Sequence, residues 1–393
     1  MKSDFFKYQA QTSPHPLALE IAKAEGNYVY DVNGKKYLDF IAGVSANTLG
    51  HNHPQVINAI KDQADKYLHV MVYGEFVQKP QVELSKFLAK HLPSNLNSIY
   101  LTNSGTEATE GALKLAKRVT GRFEIIAAKN AYHGNTQGSM SVCGKEEQNS
   151  AFRPLIPGIK FIEFNNEDNL KLISLKTAAV ILETIQGGAG FIEPKNDYLQ
   201  KVKEKCDQVG ALLILDEIQS GIGRTGKFYA FENYNVIPHI LITGKGLGGG
   251  MPIGAFISSQ EHMETFIENP KLGHITTFGG HPLIAAAALA TLQELFRSTL
   301  IQNSIKKEKL FRKLLIHPSI LEIRGKGLML AVLLKNDECV NKVILNAIDK
   351  GLLLFWLLFE PKAIRITPPL TISNTEIEQG CKIIIDLLDQ MNC

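Results

Sequence analysis

Four short stretches of the chain put reactive or anion-holding side chains directly after apolar, β-rich runs. Lys245 follows the run His239–Thr243 and is set among glycines, in Gly244-Lys245-Gly246-Leu247-Gly248-Gly249-Gly250. Such glycines let the backbone turn sharply and leave the lysine projecting. An ammonium there is an anion clamp or a nucleophilic amine of lowered pKa, unless it is an exposed loop lysine. Asp216-Glu217 ends the run Ala211–Leu215. A carboxylate after five apolar residues is costly without a partner, so it either caps local structure or pairs with a cation brought by a ligand. Ser104-Gly105-Thr106 stands between the run 98–103 and the amphipathic 107–119. Small residues before a helix leave backbone amides free for an anion, the alternative being a plain N-cap. Tyr132, in Asn130-Ala131-Tyr132-His133-Gly134 after the run 124–128, either stacks on a planar ring or packs in the core.

Two glycine strings give three matches to nucleotide-binding motifs, and all three fail on context. Gly221-Ile222-Gly223-Arg224-Thr225-Gly226 spells G-x-G-x-x-G, but 216–219 intervene after the strand and an aromatic, turn-rich segment follows instead of a helix. Extended to Lys227 it approaches a P-loop, with Phe228 where the magnesium-binding hydroxyl must be. Gly244 to Gly249 repeats the G-x-G-x-x-G spelling with no helix behind it. His51 and His53 form an H-x-H pair with no further ligands gathered nearby, and no metal is assigned.

The elements that must position these groups can be read from periodicity. Between about 98 and 258, short β-rich runs (98–103, 124–128, 178–184, 211–217, 239–243, 254–259) alternate with amphipathic stretches. One of these, 197–210, has helical apolar spacing and ends on Gly210 as a C-cap. This alternation predicts an α/β fold, a mostly parallel sheet flanked by helices on both faces. In such sheets ligands bind past the carboxyl ends of the strands, where the four stretches lie. Residues 28–41 read as a hairpin around Asn33-Gly34, and 53–68 as a helix opened by Pro54. The stretches 282–296 and 376–391 read as helices of a smaller α+β domain. The expected division is 1–50, an N-terminal segment whose hairpin packs on the small domain; 51–282, the large ligand-binding domain; and 283–393, the small C-terminal domain.

Composition narrows the class. With 42 basic and 39 acidic residues spread along the chain there is no Lys/Arg block, which argues against nucleic-acid binding. Cys143, Cys206, Cys339, Cys381 and Cys393 are odd in number and scattered, fitting a reducing compartment better than a disulfide scaffold. The N-terminal stretch lacks the apolar core of a signal peptide, and the longest apolar run, Leu352 to Phe359, is far short of a membrane span. That run is expected to be a buried strand or helix segment, and the protein cytoplasmic with no membrane partner.

Taken together, the chain resembles the class III (ω-amino acid) aminotransferases of fold type I, and is nearest to the acetylornithine and ornithine enzymes. The resemblance rests on 37–54 (YLDFIAGVSANTLGHNHP), 103–116 (NSGTEATEGALKLA), 131–139 (AYHGNTQGS), 212–226 (LLILDEIQSGIGRTG), 243–255 (TGKGLGGGMPIGA), 276–283 (TTFGGHPL) and 365–370 (RITPPL), and it runs over essentially the whole chain. It implies a seven-stranded, mostly parallel sheet in the large domain and pyridoxal 5′-phosphate as cofactor. Lys245 would hold that cofactor as a Schiff base and move the proton between substrate and cofactor carbons. Asp216 would pair with the pyridine nitrogen and keep the ring an electron sink. Ile218 would pack under the ring, Gln219 approach its 3′-oxygen and Tyr132 stack on its other face. Glu183 is the retained family glutamate and is counted with the cofactor residues. Ser104, Gly105 and Thr106 would cradle the phosphate. Thr277, with Thr276 beside it, matches the threonine that a neighbouring subunit contributes, which implies a homodimer with the active site shared across the interface. Arg365 would grip a substrate carboxylate.

The resemblance also has departures. Relatives acting on ornithine, acetylornithine or 4-aminobutyrate carry a second glutamate that masks the substrate arginine during one half-reaction; here Gly188 stands in its place, within Glu183-Thr184-Ile185-Gln186-Gly187-Gly188. The arginine of the acetylornithine enzymes' F-H-G-R is Asn135. An ungated Arg365 would attract a carboxylate in both half-reactions. The reading is transfer of an amino group from an ω-amino acid or N-acylornithine-type donor to 2-oxoglutarate. Alternatives are another class III transaminase (ornithine, 4-aminobutyrate, or pyruvate- or glyoxylate-dependent) and a semialdehyde aminomutase, which Arg365 and the 216–226 string disfavour.

Overall fold

The apolar runs that precede the reactive stretches become strands of one sheet. The computed structural model describes residues 1–71 and 73–390; Cys393 and the end of the expected C-terminal helix, Met391, lie outside the described residues. Numbering strands along the chain, β1 (Ile21–Glu25), β2 (Tyr28–Asp31) and β3 (Lys36–Asp39) come first. Then follow β4 (Ser98–Thr102), β5 (Glu124–Ala128), β6 (Ile159–Ile162), β7 (Thr177–Glu183), β8 (Leu212–Asp216), β9 (Ile240–Gly244) and β10 (Gly254–Ser258). These last seven form one sheet in the order β4-β10-β9-β8-β7-β5-β6. Strands β9, β8, β7, β5 and β6 run parallel, and β10 lies antiparallel to both β4 and β9. The α/β class and the seven-stranded, mostly parallel sheet are as expected.

Strand alternation explains why both faces are covered. Leu213 and Leu215 of β8 pack with Leu199, Val202 and Cys206 of the helix Tyr198–Val209. Leu212 and Ile214, pointing the other way, pack with Ala108, Ala112 and Leu115 of the helix Gly105–Thr120. A strand buried on both sides must be apolar along its length, which is what 212–215 shows. The first polar residue, Asp216, therefore falls at the sheet's carboxyl rim. The helix after β7 ends on Gly210 in the left-handed conformation, as its sequence suggests.

The remaining strands are β11 (Ile320–Lys326), β12 (Met329–Leu334), β13 (Leu352–Leu353), β14 (Phe355–Trp356) and β15 (Ala363–Ile366). They make a sheet in the order β11-β12-β15-β14, while β13 joins the N-terminal sheet β1-β2-β3 by pairing parallel to β3. The N-terminal hairpin thus pairs with a strand from the C-terminal third of the chain. The hairpin expected around Asn33-Gly34 forms, with β2 and β3 antiparallel. Pairing ends at Tyr30–Lys36, and the Asp31 carboxylate closes the loop by accepting the amides of Asn33 and Lys35, each at 2.9 Å.

The run Leu352–Phe359 departs from expectation. It is split into two short strands and a loop belonging to different sheets, and it is only partly buried: Phe355 is 37% and Leu358 45% exposed. Among the described residues, no single helix is long and apolar enough to cross a membrane. The alanine-rich helix Pro282–Arg297, the most apolar, packs against helices Pro54–Ala64 and Lys79–His91.

Candidate active site

Four parallel strand ends and the start of one helix converge on a cavity of about 510 Å³. Lys245 follows β9 immediately, with φ of 40°, a left-handed conformation that a non-glycine residue adopts only when its surroundings hold it there. Its amine makes no hydrogen bond or ion pair within the described residues. Burial is the main cause that holds its pKa below the usual lysine value. The nearby Arg365 charge adds to this, and Asp216 and Glu183 oppose it.

Asp216 ends β8 and is 5% exposed. One carboxylate oxygen accepts the amide of Ile218 at 3.0 Å; the other lies 2.7 Å from Nδ1 of His133, whose side chain is fully buried. Burial alone would lower the pKa of His133. The hydrogen bond to Asp216 and the charges of Asp216 and Glu183 outweigh it, so the pKa is raised. Nδ1 therefore donates to the carboxylate, while Nε2 is buried with no partner among the described residues. Glu183, paired with Asp216 across β7 and β8, accepts the amides of Gly187 at 2.9 Å and Tyr132 at 3.2 Å. Burial, reinforced by Asp216 and opposed by His133, pushes its pKa up to about 7.

The anion cradle is the N-terminus of the helix Gly105–Thr120. Ser104 caps it, its Oγ accepting the amide of Glu107 at 3.3 Å and its carbonyl that of Ala108 at 3.1 Å. The amides of Gly105 and Thr106, ahead of these, have no carbonyl within the helix to reach. The Thr106 hydroxyl is engaged by Ser139 at 2.6 Å and Thr136 at 2.9 Å, so its amide is the freer donor. Gly105 is required by close approach: a Cβ there would lie 2.6 Å from Cδ1 of Ile218, the residue that floors the cavity beside it.

Ile218, Gln219, Tyr132 and Arg365 all line this cavity with Lys245. Tyr132 is 40% exposed. Gln219 Nε2 and Arg365 Nη1 are buried without hydrogen-bond partners among the described residues. Arg365, on β15, is 7% exposed; Nε donates to the Trp356 carbonyl at 3.3 Å, and burial lowers its pKa to about 10. Thr276 and Thr277 stand apart. Thr276 Oγ1 accepts from Asn103 Nδ2 at 3.2 Å and from the Gly279 amide at 3.1 Å, while Thr277 is exposed beside a different cavity near His69 and His281. Neither lines the Lys245 cavity of its own chain.

His133, in the AYHG string, was given no role from sequence, and adjacency to Tyr132 was the signal available. Val44, Phe355 and Leu358 also line the cavity and were not singled out as site residues. His51 of the H-x-H pair bonds Asp39 at 2.8 Å, and no cluster of three or more His, Cys, Asp or Glu that could hold a metal ion occurs among the described residues.

The site asks for a particular ligand: an anion at a helix start, a group that accepts from Gln219 and a basic atom facing Asp216. It also needs an electrophilic carbon near an unpartnered lysine. A phosphorylated pyridine aldehyde has each of these, so the residues present fit pyridoxal 5′-phosphate.

Comparison with known proteins agrees. The class-III aminotransferase family matches residues 8–388. The acetylornithine aminotransferase of Caldanaerobacter subterraneus subsp. tengcongensis is 37% identical over 398 residues, covering 98% of each chain. That of Bacillus subtilis is 39% identical, covering 92% of this chain and 93% of its own. Among solved structures, ornithine aminotransferase from Toxoplasma gondii superposes with a TM-score of 0.92 at 31% identity, over 100% of this chain and 96% of that one.

Proposed function

Because the chain belongs to the class III aminotransferases, we propose that it moves an amino group from an ω-amino acid or N-acylornithine-type donor to 2-oxoglutarate. The observation that carries the reading is one cavity holding both an unpartnered lysine amine and a buried guanidinium with a free Nη1. The family uses pyridoxal 5′-phosphate, which supplies an aldehyde to take up the amino group and a ring that withdraws electrons from the reacting carbon. The amides of Gly105 and Thr106 hold its phosphate, favoured by the helix dipole. Asp216, held in place by His133 and the Ile218 amide, would pair with the ring nitrogen. Gln219 Nε2 would donate to the cofactor's ring oxygen, and Ile218 and Tyr132, which line the same cavity, would pack against the ring. Lys245 Nζ would be the amine that bonds the cofactor's aldehyde carbon. The same amine would move the proton at the substrate carbon, and burial, the main cause of its lowered pKa, favours the neutral form that such work needs. Arg365 Nη1 takes the carboxylate.

In this reading residues 51–282 form the cofactor domain and 283–393 the small domain that brings Arg365. Residues 1–50 join the small domain through the β3–β13 pairing. Two chains assemble with Thr277, and Thr276 behind it, facing the partner's phosphate; the exposure of Thr277 supports this. Four free, buried cysteines suit a reducing compartment such as the cytoplasm. A second reading, pyruvate or glyoxylate as acceptor, is favoured by Asn135 lining the cavity where acetylornithine enzymes carry arginine.

Incubating the loaded enzyme with N-acetylornithine and no acceptor should bleach the yellow pyridoxal form, and 2-oxoglutarate should restore it. Release of ammonia or of a rearranged product, with no bleaching, would overturn the assignment. Restoration by pyruvate but not 2-oxoglutarate would decide for the second reading.

A further inference from the structure

The apolar run 352–359 has a use that the reaction so far does not absorb. Phe355 is the cross-strand partner of Arg365 in the antiparallel β14–β15 pair. Directly opposed residues point to the same face of a sheet, so the phenyl ring sits beside the guanidinium. Four residues on, the loop is latched to the segment that follows the strand ending at Glu183: the Phe359 amide donates to the Gly188 carbonyl at 2.9 Å. The approach is so close that a Cβ on Gly188 would lie 2.9 Å from Cδ2 of Phe359 and 3.6 Å from Cβ of Leu358. Glycine at 188 thus lets this loop close, and the closed loop holds Leu358, 45% exposed, at the cavity wall.

Val44 and Ile185 complete that wall. Val44 sits in four successive residues with positive φ, 50° to 70° from Ala42 to Ser45. A β-branched side chain in that conformation is a strained outlier, and strain of this kind gathers at ligand sites. Glu183 and Asp216, the carboxylates of the cavity, are committed to amides and to His133, so neither is left to pair with a cationic substrate group.

We propose that Phe355, Leu358, Val44 and Ile185 form an aliphatic subsite beside Arg365, so that a substrate is recognised by a carboxylate and an uncharged apolar segment together. The proposal rests on Arg365 being the carboxylate anchor of the function proposed above. It deepens that reading by naming the substrate class: amino or oxo acids carrying an aliphatic extension, or an acyl extension longer than acetyl.

Straight-chain monocarboxylates from acetate to hexanoate test it without turnover. The single tryptophan, Trp356, adjoins Phe355 with ring centroids 5.2 Å apart and reports binding to the loaded enzyme by its fluorescence. The dissociation constant should fall about fourfold per methylene over at least three steps, and glutarate should bind more weakly than hexanoate. Leu358→Asn, at an exposed position that leaves the core intact, should flatten the series while acetate binding and the thermal midpoint hold. With donors, N-butanoylornithine should exceed N-acetylornithine in kcat/KM, and Leu358→Asn should erase the difference. A flat series in the wild-type enzyme, with acetate still bound and Arg365→Ala abolishing it, would refute the subsite and leave the function standing. No carboxylate binding at all would instead refute Arg365 as the anchor.

Discussion

Asp216 has both of its carboxylate oxygens engaged before any ligand arrives, one by the Ile218 amide and one by His133 Nδ1 at 2.7 Å. The buried imidazole keeps the carboxylate aimed, and acts through Asp216 without touching substrate. His133→Leu should lower kcat by about 10- to 100-fold, the usual loss when an outer partner of a reacting group is removed. His133→Asn, whose amide can stand where Nδ1 stood, should restore most of it, with KM for the donor nearly unchanged in both. Equal losses in the two variants, tracking a fall in thermal stability, would reduce His133 to a packing residue. At this scale the chain was legible where chemistry needs a rare residue type at a strand end. Lys245, Asp216 and Arg365 were readable for that reason. His133 was not, because a histidine beside an aromatic reads equally as core, and its role depends on a contact 83 positions away.

Strands buried on both faces announce themselves by uninterrupted apolarity, which is why β5, β7, β8 and β9 could be placed from sequence. The same rule misled at Leu352–Phe359. Eight apolar residues suggested one buried element, yet the chain bends between two sheets, and Phe355 and Leu358 face the cavity. Apolarity marks removal from water, and a ligand wall meets that need only when substrate is present. The Gly188–Phe359 latch was invisible for a related reason, since it depends on two loops meeting. Gly188→Glu, which would reinstate the acid that relatives carry, must displace the Phe359 ring. We expect it to cost about 1–3 kcal/mol of stability, as overpacking does, and to raise KM for the acceptor. Both can be measured by denaturant titration and steady-state kinetics. Unchanged stability with an unchanged KM would mean that the latch opens freely.

At the scale of the whole molecule, the site is assembled from distant parts. The large sheet supplies Asp216, Glu183 and Lys245, the small sheet supplies Arg365, and the N-terminal segment supplies Val44. Thr277 is absent from this assembly within its own chain, which gives the dimer proposal a direct consequence. Thr277→Ala and Lys245→Ala should each be impaired alone. Unfolded and refolded together, they should recover up to a quarter of wild-type activity, because half of the dimers would be mixed and each of those holds one intact site. No recovery would place Thr277 outside the partner's site.

The roles proposed for Asp216, Arg365 and the phosphate cradle all depend on Lys245 being the residue that bonds the cofactor. Borohydride reduction of the enzyme loaded with pyridoxal 5′-phosphate, followed by peptide mapping, fixes the cofactor to whichever lysine holds it. The tag should fall on Lys245, at one per chain, and be absent from Lys245→Ala. A tag on any other lysine of the wild-type chain, or none at saturating cofactor, would contradict the account.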